Sequence, residues 1–172
     1  MSDVDGVNDG QRDWFVELTT RIPAFSGYRE REQRRTADKT IRDTMAAKLD
    51  ELRSILAEVM EQANEAETSV LDDISKILHT LNDLRDRVEF LGYGETSFFS
   101  EELLDESALP PIYELETQTY DKLDDLETVF ESPKDLGRRD TLKSIRRKLE
   151  EITKDFAARK EAIKRVQKRS GI

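Results

Sequence analysis

The sequence has no cysteine and a single histidine, His79, so two of the commonest metal ligands and nucleophiles in proteins are nearly missing. Without cysteine the chain cannot form a disulfide and offers no thiolate for catalysis or metal binding. The residue three before His79 is Lys76, so the Glu-x-x-His pair of helical di-iron sites is absent as well. These absences predict a protein that is not an enzyme and holds no metal or other cofactor.

Glycine and proline are also scarce, at 7 and 4 of 172 residues, and no long apolar run occurs. Spanning a bilayer takes about 20 consecutive apolar residues, and a secretory signal needs an apolar segment that the acidic start of this chain lacks. We therefore expect a soluble cytoplasmic protein. What the chain has instead is 38% charged and 36% hydrophobic residues, a mixture typical of long amphipathic helices.

Apolar residues recur at three- and four-residue steps along most of the chain, which is the period of an amphipathic helix. The spacing predicts a short helix over 11–22 and long helices over 29–64, 68–91, 111–130 and 138–168. Arg159 occupies the one position in the apolar seam of the last helix that is not apolar. The fold expected from this pattern is all-α: an antiparallel bundle of four long helices, with coiled-coil-like packing and the short N-terminal helix laid on it.

The length of the chain suits one domain of ordinary size. We predict a single helical-bundle domain over residues 11–172. Residues 1–10 are polar and acidic, contain two glycines, and are predicted to form a disordered N-terminus.

Charge is distributed unevenly, although the net charge is −10. Residues 92–131 contain twelve acids and one base, whereas residues 132–172 contain fourteen bases and six acids. Either the two segments present complementary surfaces within the bundle, or the basic helix keeps a face for an anionic membrane. The residues that would contact such a membrane are Arg146, Arg147, Lys164, Arg165, Lys168 and Arg169.

The segment from 21 to 42 interrupts the helical pattern. Pro23 ends the first helix because its ring has no N–H to continue the hydrogen-bond ladder, and Gly27 supplies the freedom for a tight turn. Residues 29–42 then carry six bases against three acids, directly after Phe25 and Tyr28. The segment is either an exposed aromatic–arginine anchor for a partner protein or a corner whose aromatics close the end of the bundle.

The same segment carries the motif Arg21-Ile22-Pro23, Phe25, Gly27-Tyr28, Glu32, Arg34-Arg35, Ala37-Asp38-Lys39 and Arg42. Tyr93-Gly94, Phe98-Phe99 and Ile112-Tyr113-Glu114 follow in order. This pattern resembles that of a family of small helical bacterial proteins of unknown function, with alanine at position 24 where the family pattern has glycine. The resemblance covers most of residues 14–130. It implies a bacterial cytoplasmic helical protein and brings no activity with it.

Taken together, these features predict a non-catalytic interaction or scaffold module that binds a protein partner through residues 21–42. The predicted contact residues are Phe25, Tyr28, Arg31, Arg34, Arg35 and Lys39. Self-association through the helical seams is possible as well, and no specific nucleic acid is expected because few aromatics interleave the basic helix. Attachment to an anionic membrane through the C-terminal helix is the alternative function.

Overall fold

The structure is a computed structural model that describes residues 13–63, 67–93, 96–100 and 104–166. Six α-helices make up most of these ranges: α1 (Trp14–Arg21), α2 (Arg31–Gln62), α3 (Thr68–Glu89), α4 (Ser97–Ser100), α5 (Leu109–Phe130) and α6 (Arg139–Arg165). The described ranges contain no strand, so the predicted all-α bundle of four long helices and a short N-terminal one is confirmed. The disorder predicted for residues 1–10 concerns a segment outside these ranges.

Local sequence explains where the helices begin and end. The Asp13 side chain accepts a hydrogen bond from the Val16 amide at 3.1 Å and so caps the start of α1, which ends just before Pro23. Two prolines lie in the first turn of α5, where their missing N–H groups would have had no partner in any case. Each predicted long helix therefore lies within two or three residues of its observed bounds.

The four long helices pair as two antiparallel hairpins, α2 with α3 and α5 with α6. The hairpins lie side by side, with α2 against α5 and α3 against α6. Helices α3 and α6 run parallel to each other, because Ser69 and Asp73 of α3 contact Arg139 and Arg146 of α6 in that order. The short helix α1 packs on α5. The N-terminal half of α2 thereby faces the C-terminal half of α6 across the core.

The core is a continuous cluster of buried side chains that the helices share. Most of its members are aliphatic or aromatic, and they follow the three- and four-residue steps of the sequence. Polar and charged side chains are buried with them: Arg34, Asp38, Glu116, Thr117, Thr119 and Arg159. Among the described helices, none has the length and hydropathy that a membrane span requires.

Candidate functional site

The connection between α1 and α2 turns its aromatic side chains into the bundle. Ala24 and Gly27 adopt positive φ angles of 64° and 78°, which bend the chain tightly. The bend buries Phe25 and Tyr28, and the Tyr28 ring stacks on Tyr113 of α5 with centroids 5.5 Å apart. The Tyr28 amide also donates a hydrogen bond to the Tyr113 hydroxyl at 2.9 Å. This connection is a packed corner that closes one end of the bundle.

The prediction of an exposed aromatic anchor is therefore wrong for Phe25 and Tyr28, which are 5% and 0% exposed. Arg34 is also buried, and its guanidinium donates to the carbonyl oxygens of Tyr28 at 2.7 Å and Arg29 at 3.1 Å. Its role is to hold the corner against the start of α2. The physical reason is that aromatics so close to a bundle end gain more from burial in the core than from exposure to water.

The other three predicted contact residues, Arg31, Arg35 and Lys39, are exposed. They recur every four residues on α2 and so share one helix face. We call these three residues the basic row. Of the residues predicted to contact a partner, the structure thus leaves the basic row at the surface and places the other three in the corner.

Behind this surface, fully buried Arg159 forms the centre of a polar network that connects five segments of the chain. Its Nε donates to Glu116 Oε1 of α5 at 2.8 Å. Its Nη2 donates to Asp38 Oδ1 of α2 at 2.8 Å and to the Tyr28 hydroxyl at 3.0 Å, and its Nη1 donates to the Tyr93 hydroxyl. The two tyrosine hydroxyls donate onward, Tyr28 to Glu116 and Tyr93 to Asp38. One oxygen of each carboxylate is therefore shared between Arg159 and one tyrosine.

The two carboxylates of this network have opposite electrostatic character. Burial would raise the pKa of Asp38, but Arg159, the Tyr93 hydroxyl and Arg42 together hold it below its usual value. Burial raises the pKa of Glu116, and Arg159 and Tyr28 offset this rise only in part. In addition, Glu116 Oε2 is buried and has no hydrogen-bond partner in the described part of the chain. The surroundings thus lower the pKa of Asp38 and raise the pKa of Glu116.

One end of the network reaches a pocket of about 360 Å³ between α2 and the connection that follows α3. We call it the Arg35 pocket; it is lined by Arg35, Asp38, Lys39, Arg42, Leu91, Gly92, Tyr93 and Phe99. The Arg35 guanidinium lies over the Phe99 ring, 4.9 Å from its centroid. Arg42 donates to Asp38 Oδ2 at 2.9 Å and to the Glu89 carbonyl at 2.6 Å, where it caps the end of α3. The pocket can therefore offer positive charge from side chains held in place.

The basic residues of α6 are partly used within the bundle. Arg146 Nη2 lies 3.2 Å from Asp73 Oδ1 of α3, and Lys164 lies 4.0 Å from Glu161. Arg147 and Arg165 are exposed. The other two residues predicted to contact a membrane, Lys168 and Arg169, lie outside the described residues.

Sequence reasoning missed Asp38, Glu116, Arg42 and Tyr93 as members of a site. The helical period indicates that two of these residues face the core, because Asp38 lies three residues before buried Ile41 and Glu116 lies four residues after buried Ile112. A polar residue at a core position requires buried partners. The seam of the last helix identifies Arg159 on this ground, but it does not identify the partners of Arg159.

Among the described residues, no three histidine, aspartate or glutamate side chains group as metal ligands. Comparisons with protein-family models, with curated proteins and with solved structures found no match. The resemblance of residues 21–42 to a bacterial family therefore stays a prediction from the motif.

Proposed function

We propose that this protein is a non-catalytic helical interaction module, a scaffold that binds an acidic segment of a protein partner through the basic row. The observation that carries the proposal is that Arg31, Arg35 and Lys39 are exposed on one face of α2, in a molecule whose net charge is −10. A positive patch on a negatively charged molecule favours a negatively charged partner segment and steers its approach. A bacterial source and a cytoplasmic location belong to the same proposal.

The corner supports the binding surface without taking part in it. Arg34 ties the first turn of α2 to the corner carbonyls, and Arg42 ties the third turn to the end of α3. A rigid helix that displays arginines loses little conformational freedom when it binds. This revises the predicted mechanism: arginine hydrogen bonds to acidic groups remain, and the buried aromatics act only as structural support.

Two features support binding over catalysis. At the Arg35 pocket, burial raises the pKa of Tyr93, whereas the pKa of Asp38 is held low. A general acid or base works best with a pKa near the ambient pH, and both groups are shifted away from neutrality. Glu116, whose pKa is raised, is fully buried and does not line the pocket.

The test is affinity capture of the tagged chain from its native cells with three matched baits: wild type, Arg35→Glu/Lys39→Glu, and Arg147→Glu/Lys154→Glu. Both variants change the charge by the same amount at exposed positions. We expect a stoichiometric partner with the wild type and the α6 variant, and its loss with the α2 variant. If all three baits capture the partner, the basic row is not its binding surface, and residues 21–42 serve only as a structural corner.

A partner found in this way should then be measured by calorimetry with the purified chain. Charge-mediated binding weakens as salt screens it. We expect the dissociation constant to rise with ionic strength for the wild type. For the α2 variant, we expect binding that is weak at every salt concentration, with no further dependence on ionic strength.

A further inference from the structure

We infer that the Arg35 pocket binds a small organic carboxylate whose apolar part lies against Leu91 and Phe99. The inference does not require the proposed protein partner, although the pocket and the basic row share Arg35 and Lys39. Its volume of about 360 Å³ falls at the lower end of the range of small-molecule sites.

The charge of the lining selects an anion. Three cations, Arg35, Lys39 and Arg42, line the pocket with a single carboxylate, Asp38. That carboxylate is already neutralised from behind, since Arg159 Nη2 lies 2.8 Å from its Oδ1 and Arg42 Nε 2.9 Å from its Oδ2. Lys39 in turn forms an ion pair with Asp43 on the same helix, so Arg35 supplies most of the excess positive charge that the pocket keeps.

The donors that face the pocket are not all used by the protein. A guanidinium has five N–H donors in a fixed plane. Arg42 uses Nε on Asp38 and Nη1 on the Val88 and Glu89 carbonyl oxygens, and its Nη2 has no hydrogen-bond partner among the described residues. Arg35 lies over the Phe99 ring, and the described part of the chain gives it no carboxylate partner. Two guanidinium groups can thus direct N–H donors at one ligand.

These donors are held in position before a ligand arrives. Arg42 is fixed between Asp38 and the end of α3, Asp38 is fixed by Arg159, and Arg35 rests on a ring that is 6% exposed. Preorganised donors lose little freedom on binding, which favours recognition of a fork-shaped carboxylate.

The rest of the lining indicates an organic anion. Leu91 and Phe99 give the pocket an apolar side that inorganic phosphate would leave unused. A carboxylate with a small apolar body matches this lining.

The probe is benzoate, with benzyl alcohol as a neutral analogue of similar shape and inorganic phosphate as an anion without an apolar body. Backbone amide shifts of the purified full chain are followed during each titration. We expect saturable shifts at residues 35–42 and 91–93 with benzoate, a dissociation constant of roughly millimolar order for so small a ligand, and much weaker binding of both controls.

Two variants locate the site. Arg35→Gln and Lys39→Gln change exposed side chains and should leave helicity intact. We expect Arg35→Gln to weaken benzoate binding at least tenfold, Lys39→Gln to weaken it less, and Arg147→Gln on α6 to have no effect.

Several results would overturn the inference. The first is a wild-type chain that shows no saturable shifts with benzoate. Others are equal binding of benzyl alcohol, tighter binding of phosphate, and benzoate binding that Arg35→Gln leaves unchanged. Because the titration uses the isolated chain, its failure is distinct from a failure to capture a protein partner.

Discussion

Arg159 shows how a single side chain can determine which helices meet in a bundle core. It is fully buried and donates to side chains from four other segments, including Asp38 on α2 and Glu116 on α5. A buried ion pair seldom stabilises a fold more than apolar residues of the same size, because both charges lose their hydration. Its more general use is specificity, since a shifted helix register would leave Arg159 and both carboxylates buried without partners. We therefore interpret the network as a device that fixes register.

At the same residue scale, the pH dependence of stability reports on Glu116. Burial raises the pKa of its carboxyl group, so from about the unfolded value of 4.5 upward the folded state binds more protons than the unfolded state. Stability from this group is fully present below that pH and is lost as the pH rises through the folded pKa. Relative to a Glu116→Gln variant, the free energy of unfolding of the wild type should fall by at most about 1.4 kcal/mol per pH unit between the unfolded and folded pKa values of Glu116.

The measurement is urea unfolding of both chains between about pH 4 and 7, with the difference between their free energies of unfolding plotted against pH. Exposed carboxylates titrate alike in both chains and cancel in the difference. A difference that increases with pH would contradict the prediction, since it would mean that Arg159 outweighs burial and lowers the pKa of Glu116.

At the scale of elements, the helices could be predicted from the sequence and the polar network could not. Helix bounds follow from local signals such as Pro23 and the apolar period, which act within a few residues. The observed α2, Arg31–Gln62, therefore lies inside the predicted 29–64. The partners of Arg159 are 43 to 131 residues away in the chain, and no local pattern records which distant carboxylate meets a buried guanidinium.

In the corner between α1 and α2 as well, the local turn could be predicted from the sequence and the tertiary contacts could not. Proline and glycine indicated a turn, and a turn can either expose its aromatics or bury them. That choice depends on Tyr113 and Phe98, which pack on Tyr28 from α5 and α4. Because this contact is tertiary, the sequence left both alternatives open.

The corner also allows a paired stability prediction. Ala24 has a φ of 64°, a left-handed conformation that costs alanine more than glycine. Glycine loses more freedom on folding, which offsets part of this gain. We expect Ala24→Gly to stabilise the fold by about 0.5–1 kcal/mol, as measured by urea unfolding.

Gly27→Ala is the matched opposite change. Gly27 has a φ of 78°, and an added Cβ would lie 2.6 Å from Phe15 Cε2 and 2.8 Å from the Tyr113 hydroxyl oxygen. The substitution should destabilise the fold by about 1–3 kcal/mol and disturb the Tyr28–Tyr113 hydrogen bond. If both substitutions leave the free energy of unfolding nearly unchanged, the corner tolerates backbone changes and is not tightly packed.

At the scale of the whole molecule, the charge asymmetry of the sequence is partly satisfied within the bundle. Acids of α5 pair with three different helices: Asp121 with Arg21 of α1 at 2.7 Å, Glu127 with Lys48 of α2 at 2.7 Å, and Asp125 with Lys148 of α6. Exposed pairs of this kind contribute about 0–1 kcal/mol each, so they add little stability. Of the three pairs, Asp125–Lys148 also reduces the positive charge that α6 presents to an outside partner.

This balance leads to a prediction about membranes. The net charge of −10 repels an anionic surface, and pairs such as Arg146–Asp73 reduce the positive charge of α6. We expect the chain to remain at the bottom of a flotation gradient with vesicles of mixed phosphatidylserine and phosphatidylcholine at physiological salt. Flotation of wild type that is lost in an Arg146→Glu/Arg147→Glu variant, and lost at raised salt, would contradict this and favour the membrane alternative. Flotation that both changes leave intact would instead implicate apolar insertion, for which Phe15, Val16 and Phe90 are the exposed large hydrophobic residues in the described part of the chain.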